Sequence, residues 1–159
     1  MGLASYADDR FIVAVPFRYS GSMDTHLDGI EGFAQIVLID DDCDNLAYLV
    51  ALLSRRGIRC AAFWRSREAL EYIRSHPVSL VVTDVFMPEV DGVQLISAIK
   101  RCRPAAAVIA VSGYNQSYLR CMKALGATAG ISKPIDPAIL VAAVDRCLDP
   151  GFTGELCQA

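Results

Sequence analysis

Excess charge of one sign, long apolar runs and closely spaced cysteines are all missing from this sequence. The 15 Lys and Arg are set against 18 Asp and Glu, a formal balance of −3, so the basic stripe of a nucleic-acid-binding surface is absent. No apolar run approaches the ~20 residues that span a bilayer, and the run at 11–17 is short and carries Pro16. Asp8 and Asp9 ahead of it have the wrong sign for a secretory leader. A cytoplasmic protein without membrane contact is therefore expected. The six cysteines, Cys43, Cys60, Cys102, Cys121, Cys147 and Cys157, form no C-x-x-C pair and hold no ligand-like spacing to His26 or His76. Most fall in apolar patterns and read as reduced, buried thiols. The two histidines stand alone and read as surface or loop residues.

What the chain does have is a regular alternation beginning at Gln35. Residues 36–39 form a β-branched apolar run stopped by Asp40, Asp41 and Asp42, which reads as a buried strand. Leu46, Leu49, Val50 and Leu53 then recur at helical spacing, with Asp44 placed to cap the start and Gly57 to end it. Further strands are predicted at 58–63, 80–84, 106–111 and 129–132. Helices are predicted to open at Ser66, at Asp91, after Asn115, and at Asp136 with Pro137 in the first helical position. Gln94 stands three residues after Asp91, a capping-box spacing. Strands alternating with helices over short loops give a doubly wound α/β domain, its five-stranded parallel sheet covered by helices on both faces. Its bounds are placed at 34–149. Residues 1–33 are expected to be a partly flexible, loosely held extension, with 11–17 open to reading as an edge strand or docking segment, and 150–159 a frayed tail.

A parallel sheet gathers all its strand carboxyl ends on one edge, where open α/β sheets place their ligand chemistry. That edge receives Asp40, Asp41 and Asp42, then Asp84, Ser112 and Lys133. Two carboxylates about 4 Å apart repel by roughly 4 kcal/mol at an effective dielectric of about 20, so one is protonated or a cation sits between them. Oxygen-only ligands with open positions suit Mg²⁺, which keeps waters and takes phosphate oxygens. One carboxylate would remain as a nucleophile toward phosphorus, with Ser112 and Lys133 placed to stabilise the arriving phosphoryl oxygens.

Over residues 35–148 the constellation resembles the receiver domain of two-component response regulators. The motifs are LIDDD, VVTDVFMPEVDG, VSG and SKP, in that order and spacing. The resemblance implies a flavodoxin-like sheet of order 2-1-3-4-5 and a non-enzymatic phospho-acceptor that assists its own phosphoryl transfer and dephosphorylation. Asp84 would be phosphorylated by a sensor histidine kinase or a histidine phosphotransfer protein, in two-component signalling or a phosphorelay. Asp41, Asp84 and the backbone carbonyl of Phe86 would bind Mg²⁺, with Asp40 holding it through water. Ser112 would contact the phosphoryl group, Lys133 would pair with it, and Lys133-Pro134 could be cis. Asp42 would only favour the helix start.

Gly130 departs from the family, which usually carries an aromatic residue three positions before the lysine. The loop 113–115 and the following helix are expected to carry the conformational change instead. Phe86 and Tyr114 should flank the phosphoryl site and slow attack by water. On the fourth helix, Leu119 and Lys123 share one face, and an exposed Leu119 beside Lys123 and Gly130 is expected to meet a downstream target protein; Tyr118, Met122 and Leu125 suit the core. Because the sequence runs only a few residues past the last helix, a stand-alone receiver working through protein contacts is expected. A haloacid-dehalogenase-type phosphatase, using Asp40 and Asp42 as its D-x-D pair, lacks a well-placed later acidic pair and leaves the 84–92 loop unexplained. A receiver fold kept only for protein interaction is the other alternative, although the acidic pocket is complete.

Overall fold

The computed structural model describes residues 36–88, 90–113, 117–149 and 151 in full, and the backbone of 4–8, 11–15 and 116. Strands β1 (Ala4–Asp8), β2 (Phe11–Val15), β3 (Ile36–Ile39), β4 (Cys60–Phe63), β5 (Leu80–Asp84), β6 (Ala107–Ser112) and β7 (Ala129–Ser132) form one sheet of order β1-β2-β4-β3-β5-β6-β7. From β4 to β7 the strands are parallel. Counted among themselves these five run 2-1-3-4-5. Helices α1 (Cys43–Ser54), α2 (Ser66–Ser75), α3 (Gly92–Cys102), α4 (Gln116–Ala124) and α5 (Pro137–Leu148) supply the crossovers.

Alternation along each strand sends side chains to two separate cores. Ile36, Leu38, Leu80, Val82, Ile109 and Val111 pack with Leu46, Leu49, Leu140 and Val144 of α1 and α5. Val37, Ile39, Val81, Val108 and Ala110 pack with Ile73, Leu95, Ile99 and Met122 of α2, α3 and α4. Burial on both faces is why these strands read as continuous apolar runs rather than alternating ones.

In the amino-terminal segment the strand reading of the run at 11–17 holds over residues 11–15. β1 and β2 pair as an antiparallel hairpin, and β2 lies antiparallel on β4, with Ile12 opposite Ala62 and Ala14 opposite Cys60. An apolar run of strand-forming residues meets the unpaired N–H and C=O groups of an edge strand, and pairing satisfies both.

Local starts and stops follow side-chain chemistry. Asp42, not Asp44, caps α1: its Oδ1 accepts from the Asp44 and Asn45 N–H groups at 2.9 and 3.3 Å. The reason is position, since Asp42 immediately precedes the first helical residue and can reach the unsatisfied amides. Gly57 takes φ 75°, and Ile58 donates back to the Leu53 carbonyl, so β4 starts at Cys60 rather than at 58. Asp91 caps α3 through the Val93 N–H at 3.0 Å. Asp136 caps α5 through Ala138 and Ile139, with Pro137 following it. Asn115 lies outside the described residues.

Among the described residues the cysteines are free thiols, but they are not uniformly buried. Cys60 is buried, Cys102 and Cys147 are partly so, and Cys43 and Cys121 are exposed, because the last two fall on the outer faces of α1 and α4. His76 is exposed at the end of α2. No described helix is long and apolar enough to cross a membrane.

Candidate functional site

Sheet register builds the site. Ile39 pairs with Thr83, so Asp40 leaves β3 beside Asp84, the last residue of β5. Asp84 pairs with Val111, so Ser112 lies one step further along β6. Ser112 pairs with Ser132 and its carbonyl accepts from the Lys133 N–H at 2.8 Å, which carries Lys133 to the same edge. The Lys133-Pro134 bond is cis.

Asp40, Asp84 and Ser112 are buried although all are polar, whereas Asp41 is exposed. The Lys133 ammonium donates to Asp40 Oδ2 at 3.0 Å and to Asp84 Oδ2, so one cation holds two acids contributed by different strands. Asp40 Oδ1 accepts from the Asp42 N–H at 2.9 Å, and Asp40 Oδ2 also accepts from the Asn45 side chain at 3.4 Å. Asp84 Oδ1 accepts from the Phe86 N–H at 2.8 Å. Asn45 is a contributor that sequence reasoning missed, because an asparagine in the first turn of a helix carries no signal beyond capping.

Burial raises the Asp40 carboxyl above its ordinary value, and the Asp42 amide and Lys133 offset only part of that. Burial alone would lower Lys133, but its hydrogen bonds to Asp84 and Asp40 outweigh it and hold the ammonium above its usual range. Because the folded-state value of Asp40 is raised, the folded protein loses stability as pH rises from the unfolded carboxylate value near ~3.9 through the raised one. Asp40→Asn keeps an oxygen for the Asp42 N–H and removes that charge. Measured without divalent cations, its stability relative to the parent should rise by about 1 kcal/mol between about pH 4 and pH 7. Denaturant unfolding at the two pH values checks this; a difference from the parent that is the same at both would refute it.

One oxygen from each of Asp40, Asp41 and Asp84 lies within 4.8 Å of the other two. A hard, all-carboxylate donor set with one exposed member fits a small divalent cation that retains waters. Asp42 is exposed and engaged in capping α1, so it does not join Asp40 as a D-x-D pair.

At the mouth, Phe86 is 41% exposed, and its ring lies 4.6 Å from that of Tyr118 at a 35° tilt. Burial first, then the charge and hydrogen bonding of Asp91, push the Tyr118 hydroxyl above its ordinary value. Tyr114 and Asn115 lie outside the described residues. The expected target-binding face is corrected at Leu119, which is only 3% exposed and packs in the core. A Cβ on Gly130 would lie 3.0 Å from the Leu119 Cβ, so the leucine fills the space that the glycine leaves. Lys123 and Gly130 are partly buried.

Comparison with known proteins agrees with this geometry. The family model described as response regulator receiver domain matches residues 36–145. The chain is 33% identical over 118 residues to the response regulator GtcR of Aneurinibacillus migulanus, covering 74% of this chain and 48% of that protein. It is 33% identical over 115 residues to the transcriptional regulatory protein ZraR of Escherichia coli K12, covering 71% of this chain and 26% of that one. It thus spans half or less of the length of these relatives. Among solved structures, a CheY-like receiver domain protein from Methanospirillum hungatei superposes with a TM-score of 0.70 at 26% identity, over 74% of this chain and 95% of the other. The BeF3-activated DrrB receiver domain gives 0.67 at 27% identity, over 74% and 99%.

Proposed function

Since the chain belongs to the response regulator receiver domain family, we propose that Asp84 accepts a phosphoryl group from the phosphohistidine of a sensor kinase or phosphotransfer protein. The observation that carries this reading is the Lys133 ammonium bridging buried Asp40 and Asp84, with the exposed Asp41 beside them. An Asp84 carboxylate oxygen attacks phosphorus and the P–N bond breaks. Its electron pair leaves with the imidazole nitrogen, giving an aspartyl phosphate and a histidine that takes up a proton. Lys133 shifts its donation from the Asp84 carboxylate to a phosphoryl oxygen, and the Ser112 hydroxyl donates to another, so charge is met where it develops. Asp40, Asp41, Asp84 and the Phe86 carbonyl would hold Mg²⁺, which supplies charge neutralisation for the phosphoryl oxygens. The exposed Phe86 ring at the mouth restricts entry of water and lengthens the lifetime of the acyl phosphate.

The chain then acts as a phospho-acceptor that assists its own transfer and dephosphorylation, not as an enzyme on a separate substrate. Its signal passes to a protein target, and its free thiols suit the cytoplasm. Incubation with acetyl phosphate and Mg²⁺, followed by intact mass, tests the proposal. The parent should gain one phosphoryl group and Asp84→Ala none. Equal gain by both, or no gain by the parent, would sink it; sustained turnover of a phosphomonoester would favour a phosphatase instead.

A further inference from the structure

Two features place Phe86 between the pocket and helix α4. Its N–H donates to Asp84 Oδ1 at 2.8 Å, and its ring rests on the ring of Tyr118, in the first turn of α4, at 4.6 Å. Asp91 ties the same loop together, since it bridges to Phe86 across the turn and caps α3. On the opposite flank of α4, Leu119 packs directly over Gly130, so β7 presents no side chain there that could move with the site.

We propose that the Phe86–Tyr118 ring contact couples the chemical state of Asp84 to the position of α4, with both acting as positioning residues. The inference rests on the reading of Asp84 as phosphoryl acceptor. Phosphorylation would replace the single carboxylate charge with an acyl phosphate carrying about −1.5 to −2 and three further acceptor oxygens, beside the amide that now bonds a bare carboxylate oxygen. That amide must find a new acceptor geometry, and the ring on the same residue moves with it. Tyr118 is followed by Leu119 and, in the next turn, Met122, both packed in the core. Close-packed side chains do not deform continuously, so a displaced Tyr118 ring is taken up as a shift of the helix.

The test records backbone amide NMR shifts of residues 116–124 before and after acetyl phosphate and Mg²⁺, with phosphoryl occupancy read by intact mass. In the parent these amides should shift. At matched occupancy the shifts should fall by about twofold or more in Phe86→Ala and in Tyr118→Ala, and Tyr118→Phe should restore them, while amides of 66–75 respond alike in every variant. Should Tyr118→Ala fail to fold, Phe86→Ala carries the test, because it removes a ring that lies at the surface and outside both cores. Parent-sized α4 shifts in Phe86→Ala would overturn the proposal, as would a loaded parent whose α4 amides stay still. A parent that gains no phosphoryl mass would overturn the reading of Asp84 and this inference with it, and the mass trace separates that outcome from the others.

Discussion

Replacing Lys133 with methionine is expected to cost about 2–3 kcal/mol at pH 7 in the absence of divalent cations. Removing one partner of a buried ion pair leaves an uncompensated charge, commonly about 3–5 kcal/mol. Solvent reaching the Lys133 side chain reduces the cost here, since it is 25% exposed while the Asp40 and Asp84 side chains are 2% and 8% exposed. Methionine keeps the apolar stem, so the loss isolates the ammonium. The pH dependence gives the cause. Without the ammonium, which lowers it, Asp40 binds a proton still more tightly folded than unfolded, so the variant's deficit shrinks as pH falls toward the ordinary carboxylate range near ~3.9. The raised Lys133 value adds an alkaline limb in the parent. That contribution is complete below the unfolded lysine value near ~10.4 and is lost as pH rises through the folded one, and the variant should lack it. Phosphoryl uptake from acetyl phosphate should also slow by about 10²-fold. Denaturant unfolding across pH, paired with intact-mass time courses, checks both. A deficit of the same size at every pH would mean that lost packing, not charge, is responsible.

Gly92→Ala is expected to destabilise the fold by about 3 kcal/mol or more, lowering Tm by roughly 10 °C. A Cβ there would lie 2.5 Å from the Val85 carbonyl oxygen, 2.6 Å from its Cβ and 2.9 Å from its Cα. Two of those atoms are backbone, and the Gly92 N–H donates to that same carbonyl at 3.2 Å. Accommodation therefore means opening the 84–92 loop, which carries the Phe86 amide away from Asp84, so phosphoryl uptake should fall together with stability. Gly113→Ala is the contrast, since among the described residues nothing beyond its chain neighbours lies within 4 Å of the corresponding Cβ position, and it should stay within about 0.5 kcal/mol of the parent. Thermal melts of both variants decide the matter; coincident melting of Gly92→Ala and the parent would refute the steric account.

The acids, hydroxyl and ammonium of the site were legible because each ends a strand, and in a parallel sheet strand ends share one edge. Asp40, Asp84, Ser112 and Lys133 needed only their order to be placed together. Leu119 was misplaced because helical periodicity gives the angle between residues but not which face turns inward. Its neighbour decided that: Gly130 leaves a hollow on β7, and α4 turns Leu119 into it. Cys121 was misplaced for the same reason, on the outward face of an amphipathic helix, whereas Cys43 stands between Asp42 and Asp44 at the exposed start of α1.

Local periodicity settled the alternation of strands and helices, and the shared edge of a parallel sheet settled the set of groups at its carboxyl end; the order of the parallel core was carried by the resemblance to receiver domains, not by the pattern. Only the tertiary structure decided that one lysine holds both buried acids, that Phe86 lies against Tyr118, and that the first strands extend the sheet beside β4. Those are contacts between distant segments, fixed by register and by which hollow each side chain fills, and no pattern within a single segment encodes them.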